Sequence, residues 1–124
     1  MRIYLAGPMR GIPEFNFPAF HATTARLRAA GHTVFSPAER DEATYGPLSN
    51  NPTGDEALAT IQYGFSLREA LGADCAWICA HADAIALLPG WETSKGATAE
   101  RALGIALGLE IIYLAAALAL RNTK

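Results

Sequence analysis

The sequence predicts an α/β domain built on an open parallel β-sheet. Short apolar segments alternate with segments of helical period, and this β-α-β order favours parallel strands joined by right-handed crossovers. One of them, Asp83 to Leu88, holds an apolar run typical of a strand that is covered on both faces. A chain of 124 residues can bury one such core but not two. We therefore expect a single domain over residues 1–124.

Each predicted strand is short, rich in β-forming residues and followed by a turn or a helix. The predicted strands are Arg2 to Ala6, His32 to Phe35, Asp83 to Leu88, and Glu110 to Leu114. Gly7-Pro8 closes the first strand and Ser36-Pro37 closes the second. We expect a Rossmann/flavodoxin-like sheet of four to five strands in the order 2-1-3-4, with helices on both faces.

Capping residues and apolar periodicity predict three helices. They begin after Asn16, Ser66 and Ser94; the first ends at Gly31, and the third runs from about Lys95 to Leu107 with Gly108 as its stop. Residues 38–65 have no sustained period and several turn-forming residues. We expect an irregular lid or substrate loop there, with at most one or two helical turns around Ala57 to Tyr63. A plain surface excursion is the alternative.

The composition excludes several classes of function. Twelve acidic residues against ten basic ones leave no positive surface for a nucleic acid polymer. The longest apolar run, Ile111 to Leu120, is shorter than the ~20 residues of a membrane span, and the N-terminus lacks the pattern of a signal peptide. We expect a cytoplasmic protein with no membrane partner. The spacing of Cys75 and Cys79 is unlike that of a disulfide framework or a zinc-ribbon pair, so we interpret both as small buried hydrophobic residues; a redox or metal role is the alternative.

The candidate ligand site lies where the first and third strands end. In parallel sheets, ligands bind beyond the carboxyl ends of the strands, at the point where the strand order reverses. The two loops that meet there are Gly7 to Pro13 and Pro89 to Ser94. Arg10 offers a cation, and Ser94 offers a hydroxyl beside the N–H groups of a helix start. These groups suit a phosphate, although Ser94 is also an ordinary helix cap.

Two carboxylates and a tyrosine accompany this predicted phosphate site. Glu100 lies one turn after Gly96 and projects over a position without a side chain, which leaves a slot for a ligand. Asp74 lies on the helix stripe that should be apolar, and Tyr4 lies near the exit of the first strand. The set suits glycosidic chemistry, with one carboxylate as nucleophile and another acid to protonate the leaving group. The alternatives are a solvated glutamate, an edge aspartate and a plain strand aromatic. We expect Asp83 to be structural.

At these residues the sequence resembles the nucleoside 2-deoxyribosyltransferase superfamily, which includes the nucleoside 5′-monophosphate N-glycosidases. The similar motifs are Ile3-Tyr4-Leu5-Ala6-Gly7, Met9-Arg10-Gly11, Asp74 before the strand at Ala82-Asp83, and Ser94-x-Gly96-x-x-x-Glu100. The chain is most similar to a small phage-type branch that carries Gly90-Trp91-Glu92-x-Ser94-x-Gly96-Ala97. The resemblance covers most of the chain apart from residues 40–65 and the tail.

The resemblance implies a role for each matching residue. Glu100 would be the nucleophile, Tyr4 would orient it, and Asp74 would be the acid toward the base. The implied substrate-binding residues are Gly7, Met9, Arg10, Gly11, Ser94 and Gly96. The resemblance also implies a small-molecule nucleotide substrate, no metal or other cofactor, and a homo-oligomer of two or more chains, for which the apolar run from Ile111 would suit the interface. The alternative function is a non-catalytic module that binds a nucleotide or an NAD-derived ligand as a sensor.

Overall fold

The computed structural model of the protein describes residues 1–115 and contains a four-stranded sheet within them. The strands are β1 (Arg2–Ala6), β2 (Thr33–Phe35), β3 (Ala84–Leu87) and β4 (Glu110–Tyr113). All three strand pairings are parallel, and the order is β2-β1-β3-β4. The predicted fold class and strand order are confirmed.

Helices cover both faces of this sheet. The helices are α1 (Phe17–Ala29), α2 (Pro37–Tyr45), α3 (Glu56–Tyr63), α4 (Leu67–His81) and α5 (Lys95–Ala106). Side chains alternate along β1, so that Ile3 and Leu5 pack into one apolar cluster while Tyr4 and Ala6 pack into the other. The first cluster includes residues of α1, α2 and α3, and the second includes residues of α4 and α5. The domain therefore has a buried layer on each side of its sheet.

The prediction of an irregular segment over residues 38–65 is wrong at its start, where α2 forms. Pro37 occupies the first turn of this helix, a position where proline is favoured because its missing N–H needs no partner. The buried residues of α2 are Pro37, Ala38 and Asp41. Because one inward position is a carboxylate, the helix lacks the apolar stripe on which periodicity depends. The predicted turns around residues 57–63 are confirmed as part of α3.

Two of the three predicted caps are confirmed, and the third has another role. The hydroxyls of Ser66 and Ser94 each accept a hydrogen bond from the backbone N–H three residues on. Asn16 does precede α1, but its side chain makes no cap. Its Nδ2 instead donates to the carbonyl of Pro8 at 3.0 Å. Asn16 therefore ties the start of α1 to the loop that follows β1.

The two cysteines are not buried as predicted. Cys75 is half-buried, Cys79 is exposed, and both are free thiols. The inward residues of α4 are Ala70, Asp74 and Ile78. Cys75 directly follows Asp74, and Cys79 directly follows Ile78. One residue along a helix is a rotation of about 100°, so both cysteines point away from the core.

Asp83 has the structural position that its sequence context predicts. Its Oδ2 accepts a hydrogen bond from the backbone N–H of Arg2 at 2.8 Å and lies 3.6 Å from Nε of the same residue. These contacts join the starts of β1 and β3. The run from Ile111 to Leu120, predicted to suit an interface, lies partly outside the described residues. In residues 1–115, no helix has both the length and the apolar character to cross a membrane.

Gly104 lets α5 lie close against the sheet. A Cβ at this position would be 2.5 Å from Cγ1 of Ile85 and 3.2 Å from Cδ1 of Ile111, both of which are strand residues. We expect Gly104→Ala to lower the free energy of unfolding by ~1–3 kcal/mol in urea denaturation, because packed side chains must move. Gly72→Ala in α4 is the matched control, since a Cβ there meets nothing within 4 Å. Equal effects of the two substitutions would contradict this interpretation.

Candidate active site

A cavity of about 490 Å³ lies beyond the carboxyl ends of β1 and β3 and is lined by the loops that follow these strands and by residues of the surrounding helices. All of the site residues predicted from the sequence line it. They are Tyr4, Gly7, Met9, Arg10, Gly11, Asp74, Ser94, Gly96 and Glu100. Segments that are distant in the chain therefore supply a single cavity, at the edge of the sheet where the strand order reverses.

Tyr4 and Glu100 form a buried pair in this cavity. The Tyr4 hydroxyl donates to Oε2 of Glu100 at 2.7 Å, although the two residues are 96 positions apart. Tyr4 is fully buried and Glu100 is 5% exposed. The Tyr4 ring stacks on Phe35 with 5.6 Å between the centroids, which limits its rotation. The alternatives of a solvated glutamate and of a tyrosine that only fills space are therefore wrong.

Asp74 lies in the same cavity and is 6% exposed. Its Oδ1 is buried and has no hydrogen-bond partner within residues 1–115. Burial raises the pKa of this carboxyl to about 6, against the opposing effects of the Tyr4 hydroxyl and of Arg40. The alternative of an edge aspartate that reaches water is therefore wrong, and Asp74 can hold a proton close to neutral pH.

Glu100 also holds a proton more tightly than an ordinary glutamate does. Burial raises its pKa to about 8, and the charges of Asp74 and Asp41 act in the same direction. The hydrogen bond from Tyr4 acts in the opposite direction, because it stabilises the carboxylate. The pKa of Tyr4 itself is raised by its burial and by Glu100, so its hydroxyl stays protonated and stays a donor.

Asp41 is a cavity residue that the sequence analysis missed. It projects from α2, is 4% exposed, and accepts a hydrogen bond on Oδ1 from Nη1 of Arg40 at 3.2 Å. Burial raises its pKa to about 7, and the charge of Asp74 adds to this effect. The sequence does contain a signal for it: Ser36-Pro37 has the composition of a helix start, and a helix from Pro37 could have been predicted. Asp41 then falls one turn after Ala38, on the inward face.

The start of α5 forms the side of the cavity that suits an anion. Ser94 caps this helix, because its Oγ accepts from the N–H of Ala97 at 3.1 Å. The N–H groups of Lys95 and Gly96 have no partner in the part of the chain that the structure describes. A Cβ at Gly96 would meet only Oγ of Ser94, at 3.9 Å, so the space above it is open. A bound anion could therefore approach the backbone closely.

Arg10 lines the same cavity from the loop after β1. Its Nε lies 3.1 Å from Oε2 of Glu56, the first residue of α3. Among the described residues only this nitrogen of Arg10 is engaged, which leaves both terminal nitrogens for a ligand. The N–H of Gly11 donates to the carbonyl of Gly54 at 2.9 Å. Glu56 and Gly54 therefore hold the Arg10 loop in place, and Glu56 is a second cavity residue that the sequence analysis missed.

Four carboxyls, those of Asp41, Glu56, Asp74 and Glu100, line the cavity. Within residues 1–115, no group of three or more histidine, cysteine, aspartate or glutamate side chains is placed to hold a metal ion. The cationic groups are Arg40, which pairs with Asp41, Arg10, which pairs with Glu56, and Lys95, which lines the cavity. Asp74 and Glu100 have no ion pair among the described residues, so protonation limits their negative charge.

The buried carboxyls give the stability a defined pH dependence. In the unfolded chain such groups titrate near pH ~4, whereas burial raises the pKa of Asp74 to about 6, of Asp41 to about 7 and of Glu100 to about 8. Between the unfolded and the folded pKa of each carboxyl, the folded state binds more protons than the unfolded state. The free energy of unfolding therefore falls as the pH rises through this range. We expect Tm, followed by circular dichroism, to be lower by roughly 5 °C or more at pH 8 than at pH 5.

Other carboxyls do not obscure this effect. The hydrogen bond from Arg28 lowers the pKa of Glu39, and the backbone N–H of Arg2 lowers that of Asp83. The stability from these two groups is present above about pH 4 and is lost only below it. Asp41→Asn should flatten the decline between pH 5 and 8. A Tm that rises over this range would contradict the burial of charge in the cavity.

Comparison with known proteins places the chain in a family. Residues 1–113 match a family model described as "Domain of unknown function (DUF4406)". No curated protein and no solved structure gave a significant match. The matched region includes every strand of the sheet and every residue that lines the cavity. The chain therefore belongs to the DUF4406 family.

Proposed function

We propose that this protein cleaves, or transfers across, the N-glycosidic bond of a (deoxy)nucleoside 5′-monophosphate. The observation that carries the proposal is the buried hydrogen bond from Tyr4 to Glu100, in a cavity that also holds the Asp74 carboxyl, with one unpartnered oxygen, and a helix start. A carboxylate held by one donor can attack carbon, and a nearby acid can protonate a leaving group. The cavity supplies both groups.

In the first step, the Glu100 carboxylate attacks C1′ of the sugar. The new bond between C1′ and the Glu100 oxygen forms as the bond from C1′ to the base nitrogen breaks. Asp74 transfers its proton to the departing base, so the base leaves neutral and Asp74 becomes a carboxylate. The Tyr4 hydroxyl keeps its bond to Glu100 and directs one oxygen toward the sugar.

In the second step, a water molecule or a second base attacks C1′ from the other face. The bond between the sugar and Glu100 breaks, and the Glu100 carboxylate is released. Asp74 takes the proton that the attacking group loses, which restores its acid form for the next cycle. Water gives the sugar 5-phosphate, and a second base gives a new nucleotide.

The 5′-phosphate would lie between Arg10 and the start of α5. Arg10 offers two terminal nitrogens, and Lys95 and Gly96 offer N–H groups at the positive end of the α5 dipole. Glu56 forms an ion pair with Arg10 and so favours a guanidinium position at the cavity. We expect this end of the cavity to prefer nucleotides over nucleosides.

The direct test is incubation of the protein with the common ribo- and deoxyribonucleoside 5′-monophosphates, followed by chromatography for free base. We expect release from at least one of them, and none with Glu100→Ala. Intact-mass measurement during turnover should show one sugar-phosphate adduct on Glu100. Absence of release from every nucleotide would refute the proposal.

The second candidate is a module that binds a nucleotide or an NAD-derived ligand without reacting with it. The burial of Glu100, which is 5% exposed, favours it: burial raises the pKa of this carboxyl to about 8, and a carboxyl that is protonated at neutral pH is a poor nucleophile. Such a module would bind the ligand without forming an adduct. The adduct measurement separates the two functions.

Arg10→Met should weaken the binding of a nucleoside 5′-monophosphate by about 10- to 100-fold, because charge-assisted hydrogen bonds to the phosphate are lost. The parent nucleoside should bind with unchanged affinity, since it has no phosphate. Calorimetric titration of both ligands measures the difference. Arg68→Met is the control, because Arg68 is exposed on α4 and does not line the cavity. Equal losses for nucleotide and nucleoside would place the phosphate elsewhere.

A further inference from the structure

Asp41 has no role in the steps above, yet it is one of the most deeply buried charged groups of the cavity. It reaches the cavity from α2, whereas Asp74 comes from α4. The two side chains are 4% and 6% exposed. Asp41 uses Oδ1 to accept from Arg40, which leaves its Oδ2 for a ligand. Oδ1 of Asp74 is buried and has no hydrogen-bond partner among the described residues. A bound ligand can supply that partner.

These two carboxyls differ in what they can offer. Arg40 is the only described cation within hydrogen-bond distance of the pair, and it contacts Asp41. One positive charge compensates one carboxylate, so a single proton on the other carboxyl leaves the pair without net excess charge. In that state Asp74 presents an O–H donor and Asp41 presents an acceptor. A ligand that fits both must carry an acceptor beside a donor.

We propose that Asp41, together with Asp74, selects bases that carry an exocyclic amino group beside a ring nitrogen. Adenine presents the N7 acceptor beside the N6 amino group, and cytosine presents N3 beside the N4 amino group. Guanine and hypoxanthine present two acceptors at the corresponding purine edge, and uracil carries an oxygen where cytosine has the amino group. The amino group donates to Asp41, and the ring nitrogen receives the Asp74 proton. This inference rests on the proposed function for its ligand class.

The same contact links recognition to reaction. An amino group that donates to Asp41 stabilises the charged form of that carboxyl and so favours the state in which Asp74 holds the proton. Asp74 is the acid that must protonate the leaving base. An oxo base cannot donate to Asp41 and therefore gives this state no such stabilisation.

The test uses matched pairs of nucleotides that differ in one group: adenosine against inosine 5′-monophosphate, and cytidine against uridine 5′-monophosphate. Binding is measured by calorimetry on Glu100→Gln, so that turnover does not interfere. We expect the amino member of each pair to bind at least about 10-fold more tightly. Asp41→Asn in the same background should bring the ratio close to one. Glu42→Gln, on the same helix but outside the cavity lining, should keep it.

A second measurement needs no substitution at Asp41. The amino preference should fall when the pH is lowered from 8 to 5.5, because a protonated Asp41 no longer accepts. The charged and titratable groups that act on it are Arg40 on α2 and Asp74 on α4, with residue 100 neutral in this background. A ratio near one at every pH, or one that Asp41→Asn leaves unchanged, would overturn the inference.

The outcomes separate this inference from the proposed function. An amino preference in binding, without base release by the wild-type protein, supports the role of Asp41 and refutes the glycosidase. Base release without any difference between amino and oxo nucleotides refutes the role of Asp41 and leaves the glycosidase standing. Preference in both binding and release supports the two together.

Discussion

Glu100→Gln is expected to slow base release by roughly 10⁴-fold or more, because it removes the only group proposed to form a bond to C1′. Glutamine has nearly the same shape, and its carbonyl oxygen can accept the Tyr4 hydrogen bond at the position of Oε2. The variant should fold, and it should lose part of the decline in stability between pH 5 and 8. Discontinuous assays of free base over hours measure the residual rate.

The control for this variant is Glu92→Gln. Glu92 is exposed in the turn before α5 and does not line the cavity, so this substitution should leave the rate unchanged. Intact-mass spectra should show an adduct in the wild type and none in Glu100→Gln. A variant that keeps more than about a tenth of the wild-type rate would exclude Glu100 as the nucleophile.

Asp74→Asn is expected to slow the release of natural bases by about 10²- to 10⁴-fold, the range of a lost general acid. The loss should be much smaller for a substrate whose leaving group needs no proton, such as a 4-nitrophenyl riboside 5-phosphate. Glu69→Gln, exposed on the same helix and outside the cavity lining, is the control. An equal loss for both leaving groups would mean that Asp74 supports the site in another way.

The pH profile gives an independent check on these roles. The reactive form needs Glu100 ionised and Asp74 protonated, although burial raises the pKa of Glu100 to about 8 and that of Asp74 only to about 6. That form is a minor one before substrate binds, and its population is greatest between these two pKa values. The wild-type kcat/KM should therefore be bell-shaped with an optimum near pH 7. In Asp74→Asn only the ionisation of Glu100 remains, so the rate should rise with pH to a plateau.

Local chemistry explains which elements could be predicted. A cap such as Ser94 bonds to a backbone N–H only three residues away. The apolar composition of Ala84–Leu87 is enough to predict a buried strand, without knowledge of any distant residue. The alternation of such elements restricts the topology, because parallel strands need crossovers of one hand. The order β2-β1-β3-β4 could be predicted for this reason.

The misses occur where distant contacts override local preference. Asp41 is a helix residue with an ordinary propensity, and only its packing against the cavity makes it a buried acid. Asn16 has the composition of a helix cap, but the approach of Pro8 gives its amide a different partner. Cys79 is exposed because Ile78 and Asp74 take the inward face of α4. No short-range pattern contains this information.

Patterns within the sequence were enough to predict the strands, three of the helices with two serine caps, and a list of residues suited to sugar and phosphate chemistry. They could not predict that Tyr4 bonds to Glu100 across 96 positions, that Asp41 joins Asp74 in the cavity, or that Glu56 pairs with Arg10. Turns and caps are local interactions, whereas burial, and with it the pKa of a carboxyl, depends on which distant segments exclude water from it.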